Sequence, residues 1–449
     1  MADLNKERND SPSPARLLAF EILQRVEGGA FASVLLTSRA AELPANDRGL
    51  CQELVKGVLR RRLWLDRLIA HYANREPERL DPAVRVVLRL GLYQLRFLSR
   101  VPASAAVNES VKLVRFARLR SADRLVNAVL RRATREPEYD PLIGLTDAIE
   151  RIAVETSHPQ WLIKRWANAF GFDEASRFAQ ANNANPTVAF RVVHNRESES
   201  EVIESIRKAG VVVLPSTVTP GAWLVAGSAN VVRELAIEGV IYLQDEASQL
   251  VGHILGAKEG ERILDLCAAP GGKSTHIADL TNDRAFIVSG DVHLHRLRTL
   301  NAIATDQRLG SINAVNINAL NELPFPEGSF DRVLVDAPCT GTGTLQRNPE
   351  IRWRISPADI EDLSARQFHF LVSGSRMVKA GGQLVYSTCS VELEENEQVS
   401  SKFLEKTTGF RPIALSVKPN LLCGPGMARI WPHRDKADGF FIAGFERYQ

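Results

Sequence analysis

Five cysteines are scattered through the 449 residues, at 51, 267, 339, 389 and 423, and no two form a CxxC pair. Neither a zinc site nor a disulfide framework is indicated, and free thiols in a reducing compartment remain available for chemistry. Two of them stand in suggestive places. Val333-Leu334-Val335-Asp336-Ala337-Pro338-Cys339 puts an aspartate and a thiol just past an apolar run, and Leu384-Val385-Tyr386-Ser387-Thr388-Cys389 does the same with a second thiol. A thiol is a strong nucleophile once deprotonated, and a second group beside it can complete an addition–elimination cycle. Singly, either cysteine reads as a small buried hydrophobe. Together at strand ends, where open α/β sheets bind ligands, they form a constellation.

A third feature joins them. Arg262-Ile263-Leu264-Asp265-Leu266 runs into Cys267-Ala268-Ala269-Pro270-Gly271-Gly272-Lys273-Ser274-Thr275. A strand, a small-residue turn and a helix bring backbone N–H groups close to a ligand. Gly272-Lys273-Ser274 mimics the end of a phosphate loop, but Cys267 stands where such a loop needs its first glycine, and Pro270 removes a donor. The unbroken run from Asp265 to Lys273 resembles instead the DxCAAPGGK loop of the Nol/Nop/Sun family of RNA cytosine-C5 methyltransferases.

That resemblance implies S-adenosyl-L-methionine as cofactor, wrapped by Cys267, Ala268, Ala269, Pro270, Gly271, Gly272 and Lys273. Asp291, ending the next strand, would accept hydrogen bonds from the ribose hydroxyls. The family places an aspartate at the end of the third strand, against the adenine. This chain has Asn318 there, which keeps one acceptor but loses the charge. Further stretches fit the family: Gln244-Asp245-Glu246-Ala247-Ser248, Arg347-Asn348-Pro349-Glu350-Ile351-Arg352-Trp353 and Asp438-Gly439-Phe440-Phe441.

Carbon 5 of cytosine is a poor nucleophile. A thiolate adding to carbon 6 makes an enamine, and after methylation a base must remove the carbon-5 proton so that the cysteine can leave. The residues alone do not say which cysteine attacks: DNA enzymes attack from Pro-Cys, which would nominate Cys339. The RNA family attacks from Thr-Cys, so the resemblance makes Cys389 the nucleophile and gives Cys339 to release. Asp336 would hold the cytosine amine or N3. Lys273 either polarises the ring or lowers a thiol pKa, or is a solvated lysine at a helix start. Cys267 reads as structural.

The elements that must position these groups follow from periodicity. From Ile241 onward, apolar runs at 262–266, 286–290, 314–317, 332–335, 383–386 and 440–445 alternate with helical stretches. A Rossmann-like α/β domain with a mostly parallel sheet, helices on both faces, is expected over 241–449. Residues 155–240 read as a small α+β domain. Residues 1–14 read as a flexible tail. Residues 15–140 read as an all-helical domain, with Asp81-Pro82 opening one helix and Arg85, Arg89, Arg96 and Arg100 forming a basic stripe along it.

The composition, 45% hydrophobic and 24% charged, is that of a folded protein. There is no apolar run long enough for a signal peptide or a membrane span, so a cytoplasmic protein is expected. Net charge is only +3, yet residues 51–135 hold 19 Lys/Arg against 7 Asp/Glu, a local +12 that suggests a polyanion partner. Within this segment Glu53–Arg60, Leu90–Leu95 and Val126–Arg131 resemble a NusB-like RNA-binding domain. In this enzyme family that fusion implies the branch acting on 16S ribosomal RNA, at a stem-loop cytidine, cytosine 967, which must be unpaired or flipped out. No metal is expected, and a monomer is. Two other readings stand beside it: a tRNA cytosine-C5 methyltransferase with the same chemistry, and a NusB-like RNA-binding regulator whose methyltransferase part is vestigial.

Overall fold

In the computed structural model, which describes residues 11–227 and 230–449, the chain divides into two compact units. Of the described residues, one unit holds 11–184 and 345–354, and the other holds the rest up to 344 together with 355–449. The first ten residues of the expected tail lie outside the described part.

The first unit is all helix: α1 (Pro14–Glu27), α2 (Ala32–Arg39), α3 (Ala45–Arg60), α4 (Arg62–Ala73), α5 (Pro82–Phe97), α6 (Ala103–Phe116), α7 (Asp123–Arg135), α8 (Ala148–Thr156), α9 (Gln160–Phe170) and α10 (Phe172–Ala181). The cap read at Asp81 is present: its carboxylate accepts the Ala83 N–H at 2.8 Å. In α7 the buried residues are Val126, Val129, Leu130 and Ala133, the spacing of one helical face.

The basic stripe on α5 is corrected. Arg89 is buried, its guanidinium held by both Asp66 oxygens at 2.7 and 2.8 Å and by Glu27 at 2.8 Å. Arg85 leans on Glu27, and Arg96 donates to the Tyr72 hydroxyl, which leaves Arg100 as the exposed member. Spacing places these arginines on one face, but that face packs against α4 and α1, whose carboxylates repay the desolvation.

Residues 345–354 are a plug in this unit. Arg352 is fully buried and donates to the carbonyls of Ser157 (3.1 Å) and Thr156 (3.3 Å) and to Asn183 Oδ1 (3.0 Å). Glu350 accepts the Ala32 N–H at 2.8 Å, and Arg60 donates to the Gln346 carbonyl at 2.9 Å. The arginine–tryptophan stretch is therefore a structural anchor.

The second unit holds two sheets. The small one is antiparallel, in the order β2 (Val212–Pro215), β3 (Ala222–Ala226), β1 (Val188–Val192), β4 (Ile241–Leu243), with α11 (Glu199–Lys208) and α12 (Asn230–Ile237). Pairing of β4 with β1 carries this sheet past residue 240, to Leu243.

The large sheet has nine strands. β5 (Arg262–Asp265), β6 (Phe286–Asp291), β7 (Ile312–Asn316), β8 (Phe330–Asp336) and β9 (Val378–Thr388) are parallel. β13 (Phe440–Arg447) pairs antiparallel with β9, and β10 (Phe410–Pro412), β11 (Leu422–Gly424) and β12 (Met427–Ile430) extend that edge. The remaining helices are α13 (Glu246–Leu255), α14 (Gly272–Leu280), α15 (Leu294–Asp306), α16 (Pro357–Met377), α17 (Glu397–Lys406) and the short α18 (Pro432–Asp435).

Both faces of this sheet are covered, as the strand alternation shows. Leu264, Val333, Val335 and Leu384 share one core with Leu371 of α16 and Phe403 of α17. Their neighbours Ile263, Leu334 and Val385 share the other with Val251 of α13, Ile277 of α14 and Ala304 of α15. Strands buried on both sides read as continuous apolar runs, which is why they are visible in the sequence.

Candidate active site

Parallel strands direct all their C-terminal ends to one edge, and the loops leaving β5, β6, β7, β8 and β9 gather there. The register of β8 on β9 sets Asp336 opposite Ser387. Cys339 lies three residues past the first of these and Cys389 two past the second, so neighbouring strands deliver the thiols together: Sγ to Sγ is 3.4 Å. The Cys389 thiol beside it and burial push the Cys339 thiol well above its usual range.

Asp336 joins the other groups. Its Oδ2 receives Lys273 Nζ at 2.7 Å and its Oδ1 receives the Ser387 hydroxyl at 2.7 Å. Lys273 is not a solvated lysine at a helix start, because its side chain is 12% exposed. Burial works against its charge, but the carboxylate of Asp336, with Cys389 and Asp265 beyond, more than offsets this and holds its pKa above the ordinary value. Its ammonium also lies 5.1 Å from the centre of the Phe440 ring.

The loop leaving β5 approaches its surroundings closely. Gly271 has φ +116°, and a Cβ there would fall 2.8 Å from Leu300 Cγ, so only glycine fits. Asp265, under this loop, is fully buried. Its Oδ2 receives the Ser274 hydroxyl at 2.7 Å, and the Cys267 backbone also acts on the carboxyl. Burial pushes Asp265 up to about 7. Asp291 is nearly buried, its Oδ1 accepting the His293 N–H at 2.7 Å and its Oδ2 lying 3.3 Å from Arg296.

These residues fit S-adenosylmethionine and do not fit a polyphosphate. Burial and the charges of Asp265, Asp336 and Asp291 drive Cys267 well above its usual range, so the field in the loop is negative. A ligand carrying a sulfonium and an ammonium is favoured in such a field. A triphosphate would be repelled.

Asn318 lies past the end of β7 and is exposed, and its Oδ1 already accepts the Leu320 N–H at 3.0 Å. The residue tying β7 to β6 is Asn316, whose amide donates to the carbonyls of Asp291 (2.9 Å) and Val292 (3.0 Å). Cys51 is buried in the helical unit and Cys423 is exposed on the edge hairpin.

Two residues escaped the sequence reading. Arg296 donates to the Ala269 carbonyl and pairs with Asp291, so it bridges the loop leaving β5 and the end of β6. Glu395 is fully buried beneath the cysteines. It accepts the Thr340 N–H and the Gln367 amide, both at 2.9 Å, and the hydroxyls of Thr340 and Ser390. One carboxylate thus ties the residue after Cys339 to the residue after Cys389. Gly343 closes the same seam: its N–H donates to the Cys389 carbonyl at 3.0 Å, and a Cβ would lie 2.0 Å from the Gly439 carbonyl oxygen. In the sequence Glu395 sits in Val391-Glu392-Leu393-Glu394-Glu395-Asn396, which reads as a solvated acidic run.

Comparison with known proteins agrees with this architecture. Residues 252–446 match the family described as 16S rRNA methyltransferase RsmB/F, residues 13–135 the NusB family, and residues 158–232 the ferredoxin-like domain of RsmF/B-like methyltransferases. The chain is 34% identical to the probable ribosomal RNA small subunit methyltransferase B of Bacillus subtilis (strain 168), covering 96% of this chain and 98% of that one. It is 33% identical to the ribosomal RNA small subunit methyltransferase B of Pseudomonas putida (strain KT2440), covering 95% and 97%. The crystal structure of the protein PH0851 superposes with a TM-score of 0.82 at 28% identity, over 97% of this chain and 99% of the other. With identity above 30% along nearly the whole of both chains, this protein belongs to the ribosomal RNA small subunit methyltransferase B family.

Proposed function

We propose that this member of the family methylates C5 of a cytidine in a 16S ribosomal RNA stem-loop, cytosine 967, through a covalent adduct between Cys389 and carbon 6. The observation that carries this reading is the thiol pair 3.4 Å apart, beside the Lys273–Asp336 ion pair. When bound, S-adenosylmethionine supplies an electrophilic methyl group.

The residues divide the work as follows. The Cys389 thiolate adds to carbon 6, and the ring electrons move to make carbon 5 nucleophilic. The Lys273 ammonium, paired with Asp336, keeps a positive charge at the site where the adduct forms. Asp336, anchored by Lys273 and Ser387, presents its remaining lone pairs to the cytosine amine. Once carbon 5 carries the methyl group, its proton passes to the sulfur of Cys339 in its ionised form. The electron pair then reforms the carbon 5–carbon 6 double bond and expels Cys389. The raised pKa of Cys339 makes its ionised sulfur a strong base, which ends the step as a thiol. Asp291 holds the ribose hydroxyls and Asn318, through its amide, the adenine edge. The reading asks for a monomer without metal in the cytoplasm; among the described residues no helix is long and apolar enough to cross a membrane.

The test uses two variants and an RNA fragment. Cys389→Ala will be inactive and form no adduct. Cys339→Ala will accumulate a protein–RNA adduct that survives denaturant. The reverse pattern sinks the assignment, and methylation of tRNA in place of 16S fragments moves the substrate.

A further inference from the structure

The small antiparallel sheet sends two side chains to the start of α14, and the mechanism makes no use of either. Arg191 of β1 is 2% exposed. One of its Nη nitrogens donates to the Thr275 hydroxyl at 3.0 Å and to Gln307 Oε1, just past α15, at 3.1 Å. The Thr275 hydroxyl in turn donates to the Gly271 carbonyl at 2.8 Å. The other Nη lies 3.6 Å from Asp279, and burial lowers the guanidinium to about 10, so it stays charged at neutral pH. Tyr242 of β4 lies with its ring centre 5.1 Å from the Arg191 guanidinium carbon. A Cβ on Gly272 would fall 3.1 Å from Tyr242 Cε1, so the ring covers the first residue of α14.

We propose that Arg191 and Tyr242 are positioning residues for the cofactor: acting through Thr275 and Gly272, they fix the backbone of the loop leaving β5 in the shape that binds S-adenosylmethionine. The proposal rests on the reading that this loop holds the cofactor, and it gives the small sheet a task in the reaction. In a trans peptide the carbonyl and the N–H of one plane point in opposite directions. The Gly271 carbonyl is held from within α14 by the Thr275 N–H at 2.9 Å and by its hydroxyl. The Gly272 N–H of the same plane is therefore aimed outward from the helix start, where ligand acceptors are bound. Two successive glycines leave a loop free to take other conformations. Arg191 and Tyr242 remove that freedom in advance, which lowers the ordering cost of binding. α15 carries Leu300 against Gly271, so the nitrogen shared by Thr275 and Gln307 ties together both sides of the glycine turn. Fold stability alone does not call for this arginine. Taking a guanidinium out of water is costly, and a well-packed apolar side chain of similar volume is often as stable. An apolar side chain cannot hold the threonine hydroxyl and the residue after α15 at one nitrogen.

The experiment measures S-adenosylmethionine binding to the full-length protein by titration calorimetry, and methylation kinetics on an unmethylated 16S stem-loop fragment. Arg191→Met fills the space and removes the donors. It is expected to weaken cofactor binding about tenfold, the scale of one lost hydrogen bond to a charged group. KM for the cofactor rises to match, while kcat at saturating cofactor and the affinity for RNA stay within about twofold of wild type. Thr275→Val, which keeps the shape and loses the hydroxyl, is expected to give the same loss. The double variant is expected to lose no more than either single one, because both break one relay. Should Arg191→Met not fold, Thr275→Val and Tyr242→Leu carry the test, each weakening cofactor binding without a change in RNA affinity. Wild-type cofactor affinity in the folded variants, additive losses in the double variant, or an equal fall in kcat and RNA affinity overturns the proposal. Gly271→Ala separates this from the reading beneath it, since its added methyl meets Leu300 whatever Arg191 does. If that variant binds the cofactor as wild type does, it is the reading of the loop that has failed.

Discussion

Asp265 holds a carboxyl group where water does not reach, and its protonation decides what it costs. Burial raises it from an ordinary 3.8 to about 7 in the folded chain. The folded state therefore prefers the protonated form. The contribution is fully present below about 3.8 and is lost as pH rises through about 7. Three pKa units correspond to a ceiling of roughly 4 kcal/mol. Asp265→Asn removes the titration while keeping an acceptor for Ser274. Without cofactor, urea melts will show the variant gaining on wild type between pH 5 and pH 8. A difference constant across that range would refute the account. The loop around Asp265 was legible because its residues are contiguous, so DxCAAPGGK carries its own context. Arg89 shows the opposite case. Its spacing is that of an exposed basic stripe, and only the positions of Asp66 and Glu27, 23 and 62 residues away, bury it.

At the scale of elements, the site depends on two loops from adjacent strands being held at one separation. Glu395 does this from below, with Gln367 of α16 also donating to the Pro338 carbonyl at 2.9 Å, and the Tyr386 hydroxyl donating to the Glu395 carbonyl at 2.5 Å. Glu395→Ala leaves the Thr340 N–H and one of the two Gln367 amide N–H groups buried without acceptors, while the other keeps the Pro338 carbonyl, and each lost partner costs about 1–3 kcal/mol. Catalysis should suffer more than binding, since a displacement near 1 Å can cost about a hundredfold in rate. The expected result is a fall in kcat of about 10- to 100-fold with near-normal RNA affinity, partly rescued by Glu395→Gln. Equal loss of both would point to a folding defect, and no loss would remove Glu395 from the site. This tie was not readable in the sequence. An acidic run ordinarily faces solvent, and its burial is set by α16 and by strands paired across 50 residues. The edge strands β10, β11 and β12 escaped for a different reason: each is three or four residues long, too short for alternation to show.

At the scale of the molecule, the organisation was legible in outline, because composition changes along the chain: a basic helical stretch, a mixed stretch, then alternating apolar runs. What composition could not show is that residues 345–354 return to the helical unit from within the catalytic half of the sequence. Its burial of Arg352 and Glu350 depends on helices more than 150 residues away. Each unit has its own core, and the residues proposed to hold the cofactor all lie in the second. A ligand that binds only folded protein stabilises the part that holds it, by about 2.7 kcal/mol at a hundred times its dissociation constant. Calorimetry of the full chain should therefore resolve two transitions, with added S-adenosylmethionine raising one and leaving the other in place. Asp291→Ala, which removes the proposed ribose acceptor, should abolish the shift without moving the second transition. A single transition that moves as a whole would mean that the units unfold together. No movement at a saturating concentration would mean that the loop after β5 does not hold this cofactor.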